Sequence, residues 1–170
     1  MFRITKFLEE LSAPTPAGPH RDPPGPVVIW NLVRRCNLTC KHCYSISADK
    51  DFAGELDTSE IYTVMDDLKA FGVPVLILSG GEPLLHPDIF DISHRAKAMG
   101  FYVGLSTNGT LIDESNIDAI AAVGYDYVGI SIDGIGATHD RFRRMEGAFD
   151  KAMHGIRLCQ IGRASCRERV

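Results

Sequence analysis

Val27-Val-Ile-Trp-Asn-Leu-Val33-Arg-Arg-Cys36-Asn-Leu-Thr-Cys40-Lys-His-Cys43 joins a continuous apolar run to three cysteines held within eight residues. The run reads as a buried strand. The cysteines follow it at C-x3-C-x2-C spacing, so the thiols gather where the strand ends. Three thiolates are one fewer than a closed tetrahedral zinc site or a fully ligated cubane cluster takes. Held on four irons, they leave one iron open to a small molecule. Spacing alone leaves two other readings open. His42 could act as a fourth ligand to zinc, although neighbouring side chains on an extended chain point apart and would strain a site shared with Cys43. The three thiols could also be a plain reactive group.

Outward from this stretch a unit repeats. Asp57 or Thr58 can cap a helix running to Phe71, with Ile61, Val64, Met65 and Leu68 on one face and Gly72 as its stop. Val73–Leu78 reads as a second strand, Pro87–Met99 as a helix ending at Gly100, and Phe101–Ser106 as a third strand. Asp113–Val123 is a helix closed by Gly124, Tyr127–Ile132 a fourth strand, and Gly147–Leu158 the start of a fourth helix. Apolar strands alternating with helices predict an α/β chain of βα units, its parallel sheet covered by helices.

Each strand runs into polar or glycine-rich residues: the cysteines, then Ser79-Gly80-Gly81-Glu82-Pro83, then Ser106-Thr107-Asn108-Gly109, then Ser131-Ile132-Asp133-Gly134. In a parallel fold the carboxyl ends of the strands point one way, so these four segments should converge. Paired glycines permit close approach of a ligand, Glu82 can accept from an ammonium group, and Pro83 stiffens the turn. An ordinary strand-to-helix turn is the plainer reading of that segment. Ser106, Asn108, Ser131 and Asp133 suit a ribose diol, or else serve as turn and capping groups. Within His139-Asp140-Arg141-Phe142-Arg143-Arg144 one arginine could grip a ligand carboxylate, or the stretch is a solvated basic turn. His86 and His94 are read as surface residues of the second helix, and His20 and His154 carry no signal.

The chain has 170 residues, enough for one domain with a core, and a formal net charge of −4, which does not predict nucleic-acid binding. No apolar run nears the ~18 residues of a membrane span, and the start lacks the apolar core of a secretory signal. Free clustered thiols fit a reducing compartment, so a cytoplasmic location is expected. Residues 1–26 read as a short amphipathic helix followed by a Pro-rich leader, with six prolines between Ser12 and Pro26. Residues 161–170 have no apolar period and read as a non-native tail, in which Cys166 has no role; the native chain is expected to continue differently.

Taken together, these segments resemble the radical SAM superfamily over about Val27 to Leu158. The family's cluster motif falls on Cys36, Cys40 and Cys43. Its Gly-Gly-Glu-Pro motif, which receives the amino group of S-adenosylmethionine (SAM), falls on Gly80, Gly81, Glu82 and Pro83. The resemblance implies ribose contacts at Ser106, Asn108, Ser131 and Asp133, and a carboxylate-reading arginine at Arg143. His42 stands where many members carry an aromatic residue over the adenine, and imidazole can still stack. The implied fold is a partial (βα) barrel of six units, with about four present, residues 27–160 forming a truncated radical SAM core. The implied cofactors are a [4Fe–4S] cluster and SAM. An electron from the cluster would split the sulfonium into methionine and a 5′-deoxyadenosyl radical, which takes a hydrogen atom from the substrate.

Within the superfamily, the stretches Val27–Tyr44, Ile77–Leu84 and Asp126–Gly134 resemble the branch that serves heme d1 biosynthesis. That implies a siroheme-derived tetrapyrrole as substrate, modified at its side chains, and a low-potential electron donor such as a flavodoxin or ferredoxin. Heme-pathway decarboxylases and peptide-maturation enzymes share much of the pattern and are the alternatives. A non-catalytic zinc module is the alternative of another class.

Overall fold

The computed structural model describes residues 25–161 and the strand Cys166–Arg169. The expected amino-terminal helix and most of the Pro-rich leader lie outside the described residues. Strands β1 (Val27–Val33), β2 (Val75–Gly80), β3 (Tyr102–Thr107), β4 (Tyr127–Ser131) and β5 (Cys166–Arg169) form one sheet in the order β1-β2-β3-β4-β5, every pair parallel. Helices α1 (Thr58–Ala70), α2 (Ile89–Ala98), α3 (Ile117–Val123), α4 (Ala137–Arg143) and α5 (Ala148–Ile161) lie between them. Crossovers between parallel strands are right-handed in nearly all proteins. A chain that always adds its next strand on the same side therefore keeps its helices on one face, as the wall of a barrel does.

Burial follows from that topology. Leu76, Leu78, Val103, Leu105 and Val128 point at the helices and are fully buried. Each contributes about 2 kcal/mol of hydrophobic stabilisation. On the opposite face Val27 and Ile29 are 54% and 65% exposed. The apolar run of β1 thus covers only one side with helices; its other side lines the concave face of the wall. There Gly104 and Gly129 make room for one ring: a Cβ on Gly129 would lie 2.5 Å from the Tyr127 hydroxyl, and one on Gly104 3.2 Å from the same ring.

Helix α1 begins where the sequence predicts. Asp57 accepts from the Glu60 amide at 2.9 Å, and the Glu60 carboxylate accepts from the Asp57 amide at 2.9 Å, a reciprocal capping box. Helix α3 starts at Ile117, four residues later than expected from Asp113. The Asp113 carboxylate instead accepts from the Ser115 amide, and Asn116 accepts from the Asp113 amide, so this segment spends its polar groups on a turn. The second helix also starts late, at Ile89, because a 3₁₀ turn (Pro83–Leu85) intervenes. His86 closes that turn and is buried, its Nδ1 accepting from the Asp88 amide at 3.1 Å. It is no surface residue of α2.

The stretch read as a possible basic turn is a helix, α4, with His139 fully buried. Strand β5 pairs with β4, Val128 opposite Cys166 and Ser131 opposite Arg169. The pairing engages backbone groups that any sequence supplies along the open edge of β4.

Candidate active site

The four strand ends meet. A cleft of about 340 Å³ is lined by Cys36, Cys40 and Cys43 after β1, by Ser79, Gly80 and Gly81 at the end of β2, by Ser106 in β3 and Asn108 just after it, by Ser131 at the end of β4, and by Asp133 and Arg143 beyond it. A smaller hollow of about 110 Å³ lies on the concave face. It shares Ser106 and Ser131 with the main cleft and is floored by Ile29, Ile77, Tyr127 and Gly129.

The cysteine loop is held from two sides. The Gly81 amide donates to the Val33 carbonyl at 2.6 Å and the Glu82 amide to the Arg35 carbonyl at 2.9 Å. On the other side the Lys41 amide donates to the Phe142 carbonyl at 2.8 Å, tying the loop to α4. Cys36 is buried, Cys40 half-buried and Cys43 exposed. The Leu38 amide donates to Cys36 Sγ at 3.4 Å, while the Cys43 thiol donates to the Ser45 carbonyl at 2.9 Å. Burial, with smaller contributions from Glu82 and the other cysteines, pushes the Cys36 thiol up to about 11. His42 stands with Nε2 3.5 Å from Asp133 Oδ2 and its ring edge against Phe142 at 5.7 Å.

The glycine pair has a reason beyond a ligand. A Cβ on Gly80 would sit 2.4 Å from the Val33 carbonyl oxygen, and one on Gly81 2.4 Å from that of Arg35 and 2.5 Å from that of Arg34. The turn after β2 crosses directly on the chain leaving β1, and only glycine, which has no Cβ, fits the crossing.

Glu82 and Pro83 lie outside the lining of the cleft. Glu82 is fully buried, and its carboxylate accepts from Thr107 Oγ1 at 2.7 Å, the Asn108 amide at 2.8 Å and the Leu84 amide at 3.2 Å. Burial pushes this carboxyl up, against those three donors and the charge of Arg143. Its carboxylate is therefore not open to a ligand ammonium; it clasps the end of β3. Pro83 opens the 3₁₀ turn. No sequence signal marks Thr107 as the partner of Glu82, because a threonine inside a strand carries none of its own.

Asn108 is likewise engaged. Its Oδ1 accepts from the Thr110 amide at 2.8 Å and from Thr110 Oγ1 at 2.7 Å. Its Nδ2 donates to Asn37 Oδ1 at 2.9 Å and lies 3.9 Å from Cys36 Sγ. Asp133 Oδ2 is 2.7 Å from Arg143 Nε. The Asp133 amide donates to Nδ1 of the buried His139 at 3.1 Å. His139 is a second residue that the sequence did not single out; burial, then the nearby Arg143, push its imidazole below the usual range. Ser106 and Ser131 border both the cleft and the hollow.

Comparison with known proteins agrees with this architecture. The family model of the radical SAM superfamily matches residues 30–161. A pre-heme d1 synthase from Dinoroseobacter shibae is 54% identical over 160 residues, covering 94% of this chain and 40% of that protein. An Fe-coproporphyrin III synthase from Methanosarcina barkeri is 48% identical over 135 residues, covering 79% of this chain and 34% of that protein. Among solved structures, Streptococcus suis SuiB bound to S-adenosylmethionine superposes with a TM-score of 0.67 at 17% identity, over 82% of this chain and 31% of that one, a likeness of fold. The chain thus spans about two-fifths or less of the length of these relatives. A family match over most of the chain, on a sheet whose strand ends meet in one cleft, establishes that the chain belongs to the radical SAM superfamily.

Proposed function

We propose that this chain is the SAM-cleaving part of an enzyme that modifies the side chains of a siroheme-derived tetrapyrrole in heme d1 biosynthesis. The observation that carries the cleavage reading is the convergence of three cysteines with the polar ends of β2, β3 and β4 in one cleft. Identity of 54% to a pre-heme d1 synthase supports the tetrapyrrole.

The residues fit a cluster with three protein ligands. All three cysteines line the same cleft, and groups of Leu38, Asn108 and Arg143 approach the sulfurs of Cys36 and Cys40. His42, the fourth ligand of the zinc reading, is turned to Asp133 and Phe142. Cys36, Cys40 and Cys43 would hold the [4Fe–4S] cluster, and ligation to iron removes the proton that burial otherwise keeps on Cys36. Held by these three residues, the cluster would supply a low-potential electron for the reductive cleavage of SAM, within the range of cluster potentials that extends to about −700 mV.

The remaining lining residues bind and orient. The side-chain-free backbone at Gly80 and Gly81 borders the place for the SAM amino group. Ser106, Ser131 and Asp133 offer hydroxyls and a carboxylate to the ribose. Glu82, Pro83 and Asn108 act by building the wall. The hollow over Tyr127 and Gly129, at about 110 Å³, would admit a substrate side chain rather than the whole macrocycle. A flavodoxin or ferredoxin of a cytoplasmic setting supplies the electron. Among the described residues no helix is long and apolar enough to cross a membrane.

Anaerobic reconstitution of the chain with iron and sulfide, followed by assay of 5′-deoxyadenosine under a low-potential reductant, tests the cleavage. A brown protein with a cubane spectrum and SAM-dependent product is expected; a colourless protein, or a cubane that leaves SAM intact, refutes it. Titration with a siroheme-derived tetrapyrrole tests the substrate: a saturable shift of its absorption bands supports it, and an unchanged spectrum counts against it.

A further inference from the structure

The concave face of the sheet presents one hydroxyl that the SAM site does not use. Ile29, Ile77, Gly104 and Tyr127 lie in register across β1 to β4, and Ser106 pairs with Gly129 one row nearer the strand ends. Val128 and Ile130 are buried towards the helices, so Tyr127, Gly129 and Ser131 share the concave side. A Cβ on Gly129 would meet the Tyr127 hydroxyl at 2.5 Å, Cε1 at 2.8 Å and Cζ at 2.9 Å. The ring therefore lies along the strand over Gly129. Its hydroxyl reaches the row of Ser106, on the side towards the cleft. Glycine weakens a strand interior and marks a close approach, and here Gly129 seats the phenol.

The neighbouring tyrosines spend their hydroxyls on the protein. Tyr125 shares a hydrogen bond of 2.7 Å with Ser93, and Tyr102 donates to the Asp126 carbonyl at 3.1 Å. Among the described residues none hydrogen-bonds the hydroxyl of half-buried Tyr127. It stands instead at the hollow of about 110 Å³, where Ile29 and Ile77 supply apolar surface and no lining residue carries a charge.

We propose that Tyr127 is a specificity-determining residue for the substrate, its hydroxyl donating to a carboxyl oxygen at the tip of a substrate side chain. The proposal rests on the tetrapyrrole reading above. The methylene stem of such a chain packs on Ile29 and Ile77, and its tip meets the phenol one row nearer the cleft. Ile29 is 65% exposed, so the hollow opens to water, and the second carboxyl oxygen stays solvated. The phenol breaks no bond within the protein to make this one, so the contact replaces only water.

The test is a titration of the full chain with two macrocycles, followed by their absorption bands. One is a siroheme-derived tetrapyrrole; the other is its analogue with alkyl chains in place of the carboxyalkyl chains. The wild type is compared with Tyr127→Phe, Gly129→Ala and, as a control away from the hollow, Tyr102→Phe. Tyr127→Phe removes one hydrogen bond to a charged acceptor and should weaken the carboxylate macrocycle about tenfold, with the alkyl analogue bound as by the wild type. Gly129→Ala unseats the ring and should weaken the carboxylate macrocycle at least as much. Tyr102→Phe should bind both macrocycles as the wild type does. Where circular dichroism shows Tyr127→Phe to be unfolded, Gly129→Ala decides. Equal weakening of both macrocycles in Tyr127→Phe makes the ring a packing group and overturns the proposal. Wild-type affinity of Tyr127→Phe for the carboxylate macrocycle also overturns it and leaves the tetrapyrrole reading standing. A wild-type chain that binds neither macrocycle overturns both.

Discussion

Replacing Gly81 by alanine adds a single methyl group, and the structure says where it goes. It would stand 2.4 Å from the Arg35 carbonyl oxygen, 2.5 Å from that of Arg34 and 2.7 Å from the Arg35 carbonyl carbon. All three are backbone atoms, so no side-chain rotation relieves the clash. Ordinary contact begins near 3.4 Å, so the β2 turn and the cysteine loop must part by about 1 Å. Such overpacking costs about 1–3 kcal/mol. The separation also stretches the Gly81–Val33 and Glu82–Arg35 hydrogen bonds, now 2.6 and 2.9 Å, worth about 1 kcal/mol each. The sum, about 3–5 kcal/mol, is a large part of the ~5–15 kcal/mol that holds a typical domain. The urea midpoint should fall by about 2 M, and iron uptake by the cysteine loop should fall with it. Gly124 supplies the control: at φ +65° with nothing within 4 Å of an added Cβ, its alanine variant loses only about 1–2 kcal/mol of left-handed strain. A Gly81→Ala protein with the wild-type midpoint and full iron content would show that the crossing is not what requires glycine.

Glu82→Gln turns one of two accepting oxygens into a donor facing either the Asn108 amide or the Thr107 hydroxyl. The expected loss is about 1–3 kcal/mol by chemical denaturation, and an unchanged midpoint would refute the clasp. Cys40→Ala, like alanine at Cys36 or Cys43, should abolish both the cubane absorption and 5′-deoxyadenosine formation; retained cleavage in any of the three removes that residue from the ligand set. His139 and His86 are both held below the usual imidazole range by burial, so the unfolded chain binds protons first as pH falls. Their contribution to stability is present above the unfolded value of about 6.5 and is lost as pH drops below it through the folded values. His139→Asn keeps an acceptor for the Asp133 amide and should flatten the fall of the denaturation midpoint below pH 6.5; an unaltered slope would mean that His139 titrates normally.

The positions of the elements were legible because they depend on local chemistry. Asp57 and Glu60 are three residues apart, so their capping box can be read along the chain. Helix α4 escaped notice because its turn-like string of His139, Asp140 and three arginines hides which side chains are covered. His139 is buried against Phe149, ten residues further on, with the ring centroids 5.9 Å apart. The late start of α3 depended on a competition between turn and helix for the same amide groups around Asp113, and propensity alone does not settle that.

The site divides in the same way. Sequence alone determined which segments carry chemistry and, through the alternation of strands and helices, that they end on one edge of a parallel sheet. Spacing in the cysteine motif and at each strand end is a short-range property, and it survives any rearrangement of the rest. Tertiary structure decided what each polar group faces. Glu82 turns to β3, the glycines yield to the crossing chain, and Arg143 reaches Cys40 from 103 residues away. Those outcomes depend on distances between segments remote in the chain, where burial favours carboxylates, amides and guanidiniums that find partners among groups that only folding brings near.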